Sequence, residues 1–188
     1  MDDVVFVRHG ESETAAAGVV GGDAPLTTRG REQARDVARL LEGRPLDLCF
    51  TSQALRARET AALALEGREV PQTVLEELAD IDFGLLTGGP LAEYRAWIAA
   101  HDPADAPPHG ESRVATLRRF VRAYRTLLDR PEAHLLVVAH GLTLSALTDD
   151  PPRPSVAGVA YGSTLVLTRA ELAASVARLE HWCEAPSW

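Results

Sequence analysis

The sequence predicts an α/β fold, a three-layer αβα sandwich on a mostly parallel central sheet, and three observations predict it. Short continuous apolar runs with β-branched residues stand at residues 4–7 and 135–139, and a mainly apolar run interrupted by Asp47 stands at residues 46–50, the pattern of strands covered on both faces. Segments with apolar residues at helical spacing separate them, as parallel strands with helical crossovers require. A histidine followed by glycine stands directly beyond two of the runs, as His9-Gly10 and His140-Gly141. In open α/β sheets, ligands bind at that edge.

In chain order, Val4-Val5-Phe6-Val7 is the first strand, and a Gly-rich loop carries the chain to Pro25. Thr27 or Thr28 then caps a helix in which Ala34, Val37, Ala38 and Leu41 recur at i, i+3, i+4 and i+7, stopped by Gly43 and Pro45. Residues 46–50 read as the second strand, with Thr51-Ser52 starting an Ala-rich helix to about Leu65. Residues 84–110 are rich in proline and carry Tyr94 and Trp97 in a short helix, which reads as an insertion, a lid at about 85–110 over the sheet. From Glu111 a helix places Val114, Leu117, Val121, Tyr124 and Leu128 on one face and ends before Pro131. Residues 135–139 form the strongest strand signal, residues 156–168 alternate as a further strand or hairpin, and the tail after Arg169 is a helix.

Composition bounds the function. The chain of 188 residues predicts a single domain over residues 1–188 that buries a core without staples. Apolar residues make up 46% and charged residues 24%, and no run reaches the ~18 residues that span a membrane. The acidic opening Met1-Asp2-Asp3 is unlike a secretory leader, so the expected location is the cytoplasm. Cys49 and Cys183 form neither a disulfide framework nor a metal spacing. With 27 acidic against 19 basic residues, the net charge of −8 disfavours nucleic acid and anionic membrane as partners. All 19 basic residues are Arg, and Lys and Asn are absent. Any anion site must therefore use Arg, His, hydroxyls and backbone N–H groups, which excludes a P-loop or Schiff-base lysine.

Two rivals to a histidine-centred site fail on spacing. No His-Glu-x-x-His, His-x-His or Cys-x-x-Cys occurs, so no metal site is expected. No Gly-x-Ser-x-Gly occurs either, and Ser112 reads as a helix cap rather than a nucleophile. Of the other histidines, His101, His134 and His181 read as solvent residues, with His109 a candidate to reach the site.

The ordered motifs resemble a known family. Arg8-His9-Gly10-Glu11-Ser12 looks like the signature of the histidine phosphatase superfamily, related to cofactor-dependent phosphoglycerate mutase. Gly22-Asp23-Ala24-Pro25-Leu26-Thr27, with Gly30 and Gln33-Ala34, is similar to the stretch that follows it there. Thr51-Ser52 through Arg56-Ala57 to Thr60-Ala61 resembles its second arginine motif, Gly110-Glu111-Ser112 its mid-chain Gly-Glu-Ser, and Val138-Ala139-His140-Gly141 its second histidine motif. The resemblance implies a phosphoglycerate mutase-like fold and a phosphomonoester hydrolase with no cofactor, acting on a small phosphorylated metabolite. His9 would be the nucleophile and would form a phosphohistidine. Arg8, Arg56 and His140 would bind the phosphoryl oxygens, aided by Gly10, Ser12 and Gly141. Alternatives within the resemblance are a mutase-type phosphotransferase and a catalytically weak phosphate-binding or regulatory domain; a homodimer is expected only by analogy of fold.

The pattern departs from the family in three places. The family's proton-donating Glu is replaced in register by Asp80, with Glu77 and Glu76 in reserve. Aspartate is shorter by about 1.5 Å of reach and is the stronger acid, so general-acid work asks more of its surroundings. Ala15 stands where the family commonly has Asn, and Leu86-Thr87-Gly88 stands in place of Trp-Glu-Gly. The stretch from Gly84 to Glu111 is also short for a mutase, which favours the phosphatase reading.

Overall fold

The computed structural model describes residues 1–148 and 158–188. Five strands, β1 (Asp3–Arg8), β2 (Leu48–Thr51), β3 (Gln72–Val74), β4 (His134–Ala139) and β5 (Thr164–Thr168), form one sheet in the order β3-β2-β4-β1-β5. Pairing is parallel between β1 and β4, β4 and β2, and β2 and β3; only β5 runs antiparallel, against β1. The helices are α1 (Glu13–Ala16), α2 (Thr28–Leu40), α3 (Leu55–Ala64), α4 (Leu91–Ala99), α5 (Arg113–Leu128), α6 (Gly141–Thr148) and α7 (Arg169–Glu184).

Alternation along the strands sorts side chains into two cores. Val5, Val7, Cys49, Leu136 and Val138 pack with Val37, Ala57 and Ala61 of α2 and α3. Val4, Phe6, Leu135 and Val137 face the other way, onto Leu117, Phe120 and Tyr124 of α5 and Leu172 and Leu179 of α7. Each fully buried aliphatic or aromatic side chain is worth about 1.5–3 kcal/mol, and this two-sided burial makes the strands read as unbroken apolar runs. A third cluster of Val20, Ile81, Phe83, Tyr94 and Ile98 joins α4 to the segment after β3. Residues 84–110 are thereby tied to the sheet's carboxyl edge. No helix among the described residues is long and apolar enough to cross a membrane.

Several expectations shift. Thr51 belongs to β2 and Ser52 to the turn after it, so α3 begins at Leu55 rather than at Thr51-Ser52. Its capping oxygen comes from far away in sequence, Asp23 Oδ1 at 2.6 Å from Leu55 N. Thr27 caps α2 through the Gly30 N–H at 2.9 Å, and Ser112 caps α5 as expected. Residues 156 and 157 of the expected 156–168 strand lie outside the described residues; of the rest, only Thr164–Thr168 is a strand. Both cysteines are buried free thiols.

Candidate active site

Register creates the site. Arg8 stands opposite Ala139 in the β1–β4 pair, and His9 N donates to Ala139 O at 2.9 Å, so the next residues on each strand emerge side by side. The His9 and His140 rings are 5.2 Å apart and steeply inclined. Both are nearly completely buried.

The tautomer of His9 follows from its neighbours. Its Nδ1 lies 2.7 Å from Gly10 O, which only accepts, so Nδ1 carries the hydrogen and Nε2 keeps a lone pair. Arg56 Nε donates to that Nε2 at 3.2 Å. Burial, then the nearby His140 and Arg56, hold the His9 pKa well below the usual histidine range, against a smaller opposing effect of the Gly10 bond. His140 is fixed in the opposite sense. Its Nδ1 lies 3.4 Å from the donating Arg56 Nη2 and 3.5 Å from Asp80 Oδ2, and Arg56 lies between these two acceptors as donor to both. With Nδ1 accepting from Arg56, Nε2 carries the hydrogen and donates to Ser52 Oγ at 2.9 Å. Burial, with Arg56 and Arg8 adding to it, also depresses the His140 pKa strongly.

The arginines arrive from two elements. Arg56 projects from the first turn of α3, and its Nη1 donates to Gly22 O at 2.9 Å. Arg8 ends β1; its guanidinium lies 3.7 Å over the Tyr161 ring and donates to Val159 O. Its buried Nε has no hydrogen-bond partner among the described residues. Gly141 lets it lie there, since a Cβ at 141 would sit 3.2 Å from Arg8 Nε. The Tyr161 ring also lies near His9, with centroids 5.7 Å apart.

Of the three carboxylate candidates, Asp80 is at the site. Its Oδ2 lies 3.4 Å from Arg56 Nη2 and 3.5 Å from His140 Nδ1, and its Oδ1 accepts from Ile81 N at 3.0 Å. It borders a cavity of about 360 Å³ together with Arg56, His140, Gly22 and Phe83. Glu76 is exposed, and neither it nor Glu77 borders this cavity. A second cavity of about 340 Å³ continues past Arg8, Asp80 and Gly141 to Tyr94 and Ile98 of α4.

Gly10 and Ser12, both expected to aid phosphate binding, also have structural partners. The Gly10 N–H donates to Thr60 Oγ1 at 3.0 Å, and a Cβ at Gly10 would lie 2.3 Å from Gly30 O, so this glycine serves close packing of the His9 turn on α2. Ser12 Oγ caps α1, accepting from Ala15 N at 3.4 Å. His109 is exposed, has a positive φ of 61°, and borders neither cavity. Ser52, Thr60, Glu111, Arg119 and Tyr161 support the site without having been assigned chemistry from sequence. The first three lie inside the recognised motifs, whereas Arg119 and Tyr161 are brought in by non-local packing with no local signal.

The chain matches the model of the histidine phosphatase superfamily (branch 1) over residues 4–179. It belongs to this family. An adenosylcobalamin/alpha-ribazole phosphatase of Salmonella typhimurium is 40% identical over 153 residues, covering 76% of this chain and 75% of the relative. A 2,3-bisphosphoglycerate-dependent phosphoglycerate mutase of Methylobacterium radiotolerans is 37% identical over 163 residues, covering 77% and 76%. Among solved structures, the alpha-ribazole phosphatase from Shigella flexneri superposes with a TM-score of 0.74 at 28% identity, covering 87% of this chain and 89% of that one. The α/β fold, a five-stranded and mostly parallel sheet flanked by helices, matches that of these phosphoglycerate mutase-like neighbours.

Proposed function

We propose that this chain is a phosphomonoesterase that works through a phosphohistidine on His9. The observation that carries the reading is the orientation of His9, whose Nδ1–H is committed to Gly10 O while an unprotonated Nε2 faces Arg56. Two guanidiniums and two imidazoles surround one carboxylate, a charge balance that suits a phosphate dianion and repels a metal cation.

The chemistry follows from these positions. The dianion takes the donors of Arg56 and Arg8, releasing Arg56 from His9 Nε2 and from Asp80. Nε2 attacks phosphorus, the bond to the alcohol oxygen breaks, and Asp80 gives that oxygen its proton. Water then attacks the phosphohistidine, yields a proton to Asp80, and the P–N bond breaks to release inorganic phosphate. Fixed positive donors around the transferring group supply the largest rate contribution. His140 donates to a phosphoryl oxygen by taking up a proton on Nδ1, which the arriving negative charge favours. Residues 85–110 act as the lid that selects the alcohol. The alpha-ribazole phosphatase relatives make alpha-ribazole-5'-phosphate the first substrate to try, and the mutase relatives make phosphoglycerates the second. Buried free thiols and the net charge of −8 support a cytoplasmic location without nucleic acid as partner.

Turnover tests the reading. The purified protein should hydrolyse an aryl phosphate without added metal and in the presence of chelator, and His9→Ala should abolish the activity. Loss of turnover on chelation, or retention in His9→Ala, would overturn it. Asp80→Ala should damage an alkyl phosphate far more than an aryl phosphate, whose leaving group hardly needs a proton; equal losses would remove Asp80 from its role.

A further inference from the structure

Asp80 sits in a segment without regular structure, after a single 3₁₀ turn at Glu76–Leu78. A loop of that kind has no ladder of its own to fix a carboxylate to the few tenths of an ångström that proton transfer needs. Ile81 N and Arg56 reach the carboxylate itself, but the backbone that carries it is held by one side chain from α5. Arg119 Nη1 donates to Glu77 O at 2.9 Å and to Ala79 O at 2.7 Å, and Nη2 donates to Asp80 O at 3.1 Å. Its remaining donors go to one carboxylate, Nε to Glu111 Oε1 at 3.1 Å and Nη2 to Glu111 Oε2 at 2.6 Å. All five N–H groups of the guanidinium are thus committed, three to the carbonyls of Glu77, Ala79 and Asp80 and two to a bidentate anchor.

Glu111 is held in turn. Its N–H donates to Asp82 O at 2.8 Å, and Gly84 and Gly110 touch so closely that a Cβ on Gly84 would lie 2.5 Å from Gly110 N. The loop ahead of α5 and the loop carrying Asp80 are therefore bonded on both sides of the carboxylate. α5 is a sound base, sixteen residues long with its inner face in the main core. The Arg119 and Glu111 side chains are 16% and 19% exposed, sheltered enough that the network is not dissolved by solvent.

We infer that Arg119, anchored by Glu111, is a positioning residue for proton transfer by Asp80, setting the backbone from which the carboxylate reaches the leaving oxygen. This deepens the phosphomonoesterase reading and rests on it. The arrangement touches neither His9 nor Arg56, so its loss should spare binding and nucleophilic attack and reach only the step that needs the acid.

The test is a leaving-group comparison on Arg119→Lys and, independently, Glu111→Gln, each with an aryl and an alkyl phosphate. Expected is a loss of about tenfold to a hundredfold in kcat on the alkyl ester, a loss under about threefold on the aryl ester, and unchanged KM and inhibition by inorganic phosphate. In an Asp80→Asn background the selective loss should disappear, because there is no acid left to position. Equal losses on both esters, or the same selective loss with Asp80 already removed, would overturn the inference. Should Arg119→Lys fail to fold, Glu111→Gln retains the three carbonyl bonds and must still show the selectivity in weaker form. Failure of the wild-type protein to hydrolyse either ester would instead count against the phosphomonoesterase reading.

Discussion

Lowering the pH from about 7 to about 5.5 should destabilise the unliganded protein through His9 and His140, by at most about 2.5 kcal/mol, the limit reached if both stay fully neutral in the folded state. Both are buried and held neutral, with pKa values well below the ordinary histidine value of 6.5. Between that depressed value and 6.5 the unfolded chain binds protons that the folded chain refuses, so stability rises with pH and is lost as pH falls through this window. For each histidine the unfolded state gains about 1.4 kcal/mol at the lower pH and about 0.2 kcal/mol at the higher, a difference near 1.2 kcal/mol. Urea melts at both values, with an unchanged m, give the difference directly. His140→Gln and His9→Gln should each remove about half of the effect attributable to the pair. If stability is as steep in both variants as in the wild type, the histidines are not held neutral and the tautomers derived above are wrong.

Other perturbations reach other parts of the argument. Gly10→Ala places a Cβ against the carbonyl of Gly30 and should cost about 1–3 kcal/mol, read as a lower Tm with a parallel fall in kcat; a neutral substitution would deny the close approach of the His9 turn to α2. Ser52→Ala leaves the buried His140 Nε2–H without an acceptor, a penalty of about 1–3 kcal/mol, and should lower phosphate affinity through a misoriented ring. Tyr161→Leu removes the face under Arg8, a contact worth about 0.5–2 kcal/mol. It should weaken inhibition by inorganic phosphate several-fold with little change in Tm, and an unchanged inhibition constant would show that the stack does not position Arg8.

The legible parts were those written in local pattern. β1, β2 and β4 announced themselves because both faces are covered, and α2 and α5 because one face is. β3 escaped because Gln72, Thr73 and Val74 are all exposed at the sheet edge, leaving no apolar signature. α6 escaped because its buried face includes Thr143 and Ser145 and it starts at Gly141, directly after His140, with no capping residue type to announce it. At the site, Arg8, His9, Arg56 and His140 were readable through order and spacing, and the structure brings all four together. Asp80 was readable only through register, since an isolated Asp among Glu76, Glu77 and Asp82 carries no mark of its own. Gly10 and Ser12 look like phosphate donors in sequence, and the sequence does not announce their further roles, the Gly10 N–H donating to Thr60 and Ser12 Oγ accepting the cap bond of α1. Arg119 and Tyr161 could not be assigned in advance, because their value comes from the 77–80 loop and from Arg8, partners distant in sequence.

The central claim, that His9 Nε2 takes the phosphoryl group, is tested most directly by rapid acid-free quenching of the enzyme with phosphate-labelled substrate, followed by peptide mapping. The account predicts one acid-labile, alkali-stable label on the peptide containing His9, formed at a rate no slower than turnover and absent from His9→Ala. Turnover with no label, or label on any other residue, would contradict it.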